Sequence, residues 1–141
     1  MIKNKIRSNL TLAGSFPLFF EILSDEQAES SSKIIESQFL KDGGLLTTTI
    51  KSGQQWDAPN GWAPLQWITF IGLKKYGYNQ LASQIKKNWI NQNEKVFKNS
   101  GKFTEKYNVV DISSETGGGE YPNQDGFGWT NGVYLALKNE F

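Results

Sequence analysis

Three consecutive glycines, Gly117, Gly118 and Gly119, lie in the stretch SETGGGEYPNQDGFGWTNG and set the tightest limit on this chain's architecture. Ordering a glycine costs more backbone entropy than ordering any other residue, so such a run does not belong inside a helix or strand. It marks a loop whose backbone takes positive φ or passes close to another group. The same loop carries Glu120, Tyr121, Asp125, Phe127 and Trp129. A plain surface loop accounts for the glycines, but it has no need of the acids and rings that follow them.

Around this loop the pattern is helical. An apolar helix is expected over about residues 8 to 23, reset by Pro17, which suits a first helical turn better than an interior. Ser24 is a good N-cap for DEQAESSSKIIESQFL, with Gln27 at the capping-box position. Ala28, Ile34, Ile35, Phe39 and Leu40 give that helix a partial apolar stripe, and the glycines of KDGG end it. LLTTTI is short and β-branched, so it reads as an extended connector or a short strand. Pro64 opens the next helix, PLQWITFIGLKKYG, and Gly77 closes it. Asn79 caps QLASQIKKNWINQNEKVFKN, where Leu81, Ile85, Trp89 and Val96 keep roughly helical spacing. A last helix is expected near Trp129 to Leu137. The fold class is therefore all-α, with about five helices and loops longer than a simple bundle needs. The 141 residues fit a single unit, 1–141.

Composition removes several functions. Fifteen Lys and Arg against 14 Asp and Glu leave a formal charge of +1, too weak a field to point to nucleic acid or an anionic membrane surface. No stretch has the apolar length of a membrane-spanning helix. The chain has no Cys and no His, which removes thiolate chemistry, the commonest general base and the commonest metal ligand. Proton transfer falls to Asp, Glu, Tyr or Lys. GGGEYP lacks the lysine and Ser/Thr of a phosphate loop, and NQDG lacks the repeated ligands of a calcium loop, so neither cofactor nor metal is expected. The N-terminal MIKNKIRSNLTLAGSFPLFFEIL imitates a secretory signal, but polar residues and Pro17 interrupt its apolar run and no cleavage site follows. On that ground a cytoplasmic setting is favoured over a periplasmic one.

Two stretches carry candidate chemistry. QQWDAPNGWAP packs Trp56, Asp57, Asn60 and Trp62 together. Indoles that cover apolar C–H faces, with Asp and Asn to bond hydroxyls, make up a sugar subsite. The same composition equally suits a buried tryptophan pair that holds a helix start. FTEKYNV places Glu105 ahead of the glycine loop, and Glu120 stands at the loop's far side. Two carboxylates are what glycoside hydrolysis needs, although spacing across a loop sets no distance between them.

These residues resemble a known family. QQWDAPNGWAPLQW and GGGEYPNQDGFGWTNGV are similar to two signature stretches of the trehalases, glycoside hydrolases that cleave α,α-trehalose into two glucoses. FPLFF, GGLLTT and EKYNV agree in the family's order, so the resemblance runs from about Leu10 onward. It implies a barrel of six helical hairpins, an (α/α)6 toroid of which this chain would form part, and inversion without metal or cofactor. It puts the general base on Glu105 and a substrate contact on Glu120. Trp56, Asp57 and Trp62 fall in the signature that lines the approach, and Trp129 in the ring set that excludes water from bound sugar. The family's acid aspartate and glucose-gripping arginines belong to upstream motifs with no counterpart here, and the chain's single arginine is Arg7. The expectation is a C-terminal trehalase segment that holds the base without the acid and is inactive alone. Its implied partners are trehalose or glucose and the N-terminal part of the enzyme. A non-catalytic glucose- or trehalose-binding module and a truncated remnant are the alternatives.

Overall fold

The computed structural model describes residues 9–113 and 118–140, so Gly117 and the basic residues of the first eight positions lie outside the described residues. Five α-helices form its frame: α1 (Phe16–Phe19), α2 (Asp25–Ile34), α3 (Ala63–Lys75), α4 (Asn79–Ser100) and α5 (Gly128–Asn139). Four short strands join as two antiparallel pairs. β1 (Leu40–Lys41) pairs with β2 (Gly44–Leu45), and β3 (Asn60–Trp62) pairs with β4 (Lys106–Asn108).

Local signals explain most helix ends. The Ser24 side chain accepts from the Gln27 amide while the Gln27 side chain accepts from the Ser24 amide, a reciprocal cap that starts α2. Pro64 sits in the first turn of α3, and α4 ends at Gly101, whose φ of 71° only glycine takes without strain. The long N-terminal helix does not form. A single 3-10 turn over Leu12–Ser15 runs into α1, and the chain turns away at Glu21 with φ 57°. Pro17 favours a first turn and nothing downstream caps a longer helix, so the element stays short.

α3 is the central element, packed against α1, α4 and α5. Leu18, Leu45, Leu73, Ile85, Trp89, Tyr107 and Leu137 are fully buried around it. One polar side chain is built into this core. The Gln66 amide of α3 donates to the Leu45 carbonyl at 2.7 Å and accepts from the Leu45 amide at 2.8 Å, so it pairs with β2 as a neighbouring strand would. That contact fixes β2 against α3, and Thr47, just beyond it, donates its amide to the Asn60 carbonyl of β3 at 3.0 Å.

Gly61 of β3 is enclosed by Val109, just beyond β4, and by Leu45 of β2, and has no room for a side chain. A Cβ there would stand 2.5 Å from Val109 Cγ1 and 2.7 Å from the Leu45 carbonyl oxygen. Gly61→Ala is therefore expected to destabilise the fold by about 1–3 kcal/mol, the usual cost of overpacking a tight core. Urea unfolding followed by circular dichroism measures it, and an unchanged midpoint would contradict the contact.

Candidate active site

The β3–β4 ladder brings the two candidate stretches together. Asn60 stands opposite Asn108, Gly61 opposite Tyr107, and Trp62 opposite Lys106. Trp62 is 2% exposed and fixed at its ring nitrogen, which donates to the Gln55 carbonyl at 3.0 Å. Trp56 lies flat on it, with centroids 3.9 Å apart and planes 6° from parallel, and keeps 45% exposure. Trp129, near the start of α5, presents an edge-on contact to both, at 5.6 Å from Trp62 and 6.4 Å from Trp56. Phe127 extends the cluster at 5.0 Å from Trp129. Trp56 and Trp129 are thus the exposed rings, and Trp62 is the buried ring behind them.

Glu105 precedes β4 and is 5% exposed. Its amide donates to the Gln124 carbonyl at 2.8 Å, which anchors it to the far side of the glycine loop. Next to it, the Thr104 carbonyl accepts from the Thr130 hydroxyl of α5. One Glu105 carboxylate oxygen accepts from Lys106 Nζ at 3.0 Å, and the other accepts from the Tyr121 hydroxyl at 3.0 Å. Lys106 is fully buried, its ammonium 5.8 Å from the Trp62 ring centroid and 4.8 Å from that of Tyr121. The Lys106 ammonium therefore links the Glu105 carboxylate to the Trp62 ring.

The glycine loop is tied to the tryptophan turn. Asn60 donates to the Gly118 carbonyl at 2.8 Å and to the Gln55 carbonyl at 3.1 Å. Gly119 has φ 149°, and a Cβ there would fall 2.3 Å from the Gln55 side chain. The positive φ answers the sequence's demand for glycine, and the end of the Gln55 side chain occupies the place a Cβ would take. Glu120 follows as an exposed residue whose carboxylate accepts no hydrogen bond among the described residues. Asp57 is half-buried, and its two oxygens accept from the hydroxyls of Thr48, at 2.8 Å, and Ser52. It braces the turn and keeps lone pairs free for further donors.

Electrostatics reinforce the Glu105 contacts. Desolvation raises the Tyr121 hydroxyl above the usual tyrosine range, and the bond to Glu105, with the charges of Glu105 and Glu120, pushes in the same direction. Tyr121 therefore stays a proton donor to Glu105 at neutral pH. Burial likewise raises Tyr107, whose oxygen accepts from the Thr104 amide. No cluster of acids with metal-binding geometry occurs among the described residues.

Sequence reasoning missed two contributors, Lys106 and Tyr121, as partners of Glu105. Successive residues of a strand point to opposite faces, so a bonded Glu–Lys neighbour pair is not what a strand predicts. Glu105 is placed by a bend immediately before β4 begins, and this bend lets both side chains meet.

Comparison with known proteins accounts for the arrangement as a whole. The trehalase family model matches residues 1–141. Periplasmic trehalases of Escherichia coli O17:K52:H18 and Salmonella agona are each 46% identical over 134 residues, or 95% of this chain. Only 24% of each relative is covered, so the chain spans about a quarter of the length of the curated relatives it matches. Among solved structures, neutral trehalase Nth1 from Saccharomyces cerevisiae matches with a TM-score of 0.78 at 28% identity, covering 94% of this chain and 24% of that one. A GH63 mannosylglycerate hydrolase from Thermus thermophilus, in complex with glucose, matches with a TM-score of 0.66 at 22% identity, over 92% of this chain and 31% of that one. At that identity the likeness concerns the fold alone. The five helices are accordingly part of an (α/α)6 toroid.

The cytoplasmic expectation is corrected by the same relatives, which are named periplasmic trehalases. That expectation rested on the interrupted apolar run and the lack of a cleavage site within the first 23 residues. A chain that spans a quarter of its relatives offers no such test at those positions. No helix among the described residues is long and apolar enough to cross a membrane. With the tryptophan signature stretch paired to EKYNV in one ladder, a family model over residues 1–141 and a trehalase backbone in its helices, the chain belongs to the trehalase family.

Proposed function

We propose that this chain supplies the base-bearing part of a trehalase site, with Glu105 as the general base of an inverting hydrolysis. The observation that carries this reading is the opposition of Trp62 and Lys106 across β3–β4, through which the Lys106 ammonium connects the Glu105 carboxylate to the stacked indoles. Glu105 takes a proton from a water as that water attacks the anomeric carbon. The glycosidic C–O bond breaks, and the leaving oxygen is protonated by an acid on the other side of the sugar, about 6.5–9.5 Å away in inverting pairs. The family resemblance puts that acid, an aspartate, and the gripping arginines in sequence ahead of the stretch matched here. Trp56 and Trp129 cover apolar sugar faces, and Trp62 supports Trp56 from behind. Glu120 bonds a sugar hydroxyl, and Asp57 keeps the turn in shape with lone pairs left for another. The names of the related proteins support a periplasmic setting for this activity.

The expected result is sharp. Purified alone, the chain should release glucose from trehalose at well under about 1 s⁻¹, because acid catalysis worth about 10²–10⁴-fold and the positioning arginines are both missing. With the upstream hairpins of a relative added in trans or by fusion, glucose release should appear. A chain that turns over normally by itself would show that the acid lies among its own residues. Failure of a stably associated, folded pair to act on trehalose would overturn the assignment.

A further inference from the structure

Lysine is among the residues least expected at full burial, because its charge must be matched where water cannot reach it. Lys106 is nevertheless fully buried. Its ammonium meets one carboxylate, Glu105 Oε2 at 3.0 Å, with Asn123 Oδ1 at 3.4 Å and the faces of Trp62 and Tyr121 as the other walls. Its backbone is held from both sides. The carbonyl accepts from Thr104 Oγ1 at 3.1 Å and from Asn123 Nδ2 at 3.0 Å. The side chain is thus constrained at both ends.

From this we infer that Lys106 is the positioning residue of Glu105, fixing its carboxylate at the orientation in which the other oxygen faces the attacking water. The inference rests on the proposed role of Glu105 as base. A carboxylate is free to rotate about its last torsion, and a base that rotates spends much of its time misaligned. The buried ammonium removes that freedom by occupying Oε2. Oε1 is left with Tyr121, a partly exposed ring on the glycine loop, so this oxygen faces the side from which a ligand arrives. Lys106 is closed off from solvent and acts through Glu105. A replacement therefore harms the chemical step and spares the binding of substrate.

The test is a double-mutant cycle in the enzyme completed by the upstream hairpins, with kcat and KM for trehalose measured for Lys106→Met, Glu105→Gln and the pair. Lys106→Met alone should lower kcat by about 10-fold or more with KM within about threefold of the parent. In the Glu105→Gln background the same change should cost nothing further, since there is no carboxylate left to orient. Lys106→Met leaves Glu105 buried without its partner and can compromise folding. Glu105→Gln likewise leaves the Lys106 ammonium without its carboxylate, whereas the double variant buries no charge at the pair, so thermal melts establish that both are folded and their rates then decide alone. Equal rates support the inference. A further loss of about 10-fold in the double variant overturns it, because Lys106 then acts on something else. A dead Glu105→Gln with a fully active Lys106→Met overturns the inference and leaves the base assignment standing. A fully active Glu105→Gln overturns both.

Discussion

Replacing Glu105 by Gln should lower trehalose turnover by at least about 10²-fold in the enzyme completed by the upstream hairpins, and should also cost stability because the buried Lys106 ammonium loses its carboxylate. The amide keeps the size of the side chain and still accepts from Lys106 or Tyr121, whose donors stand 3.0 Å from the two carboxylate oxygens. It cannot take a proton from water. A loss confined to kcat is the mark of an interaction used in the transition state, whereas a rise in KM alone would mark a binding contact. Steady-state glucose release by the variant measures both. Near-normal turnover would move the base elsewhere, with Glu120 the next carboxylate in the loop.

Glu105→Ala opens space where the attacking water is expected, and azide or formate should restore part of its turnover. Such an anion attacks the anomeric carbon without needing to lose a proton, so it bypasses an absent base. Glu120→Gln should behave in the opposite way. Glu120 is exposed and has no partner among the described residues, which suits a group that waits for a sugar hydroxyl. Its loss should mainly reduce kcat/KM, and a small nucleophile cannot replace a missing sugar contact. Rates with and without azide separate the two carboxylates. Rescue at position 120 and none at position 105 would exchange their roles.

Much of the helical frame was legible because its signals are local. Ser24 with Gln27, Pro64, Gly77 and the spacing of Ile85, Trp89 and Val96 each act within one or two turns, and α2, α3 and α4 follow them. The N-terminal helix was over-read, because apolar content said nothing about where a cap would stop it. The site was legible as two stretches but not as one place. Trp62 and Lys106 meet through a strand pairing, and nothing in either stretch alone encodes its partner. Glycine at 119 was legible as a demand, while its positive φ and the Gln55 side chain standing where a Cβ would project came from the fold.

The β3–β4 ladder also has a bearing on the order in which the chain folds. β3 leads directly into α3, and β4 follows α4 after a short turn, so the ladder closes the open end of the α3–α4 pair. In an unfolded chain, bringing those strands together costs loop-closure entropy on the order of 3 kcal/mol. Once α3 and α4 have docked, most of that entropy is already lost and the strands arrive as neighbours. Helix formation is local and fast, while distant strand pairing is slow unless something else first shortens the path. The indoles of one strand and the glutamate beside the other are therefore delivered in the same late step. Before that step a partly folded chain carries neither half of the site in working form.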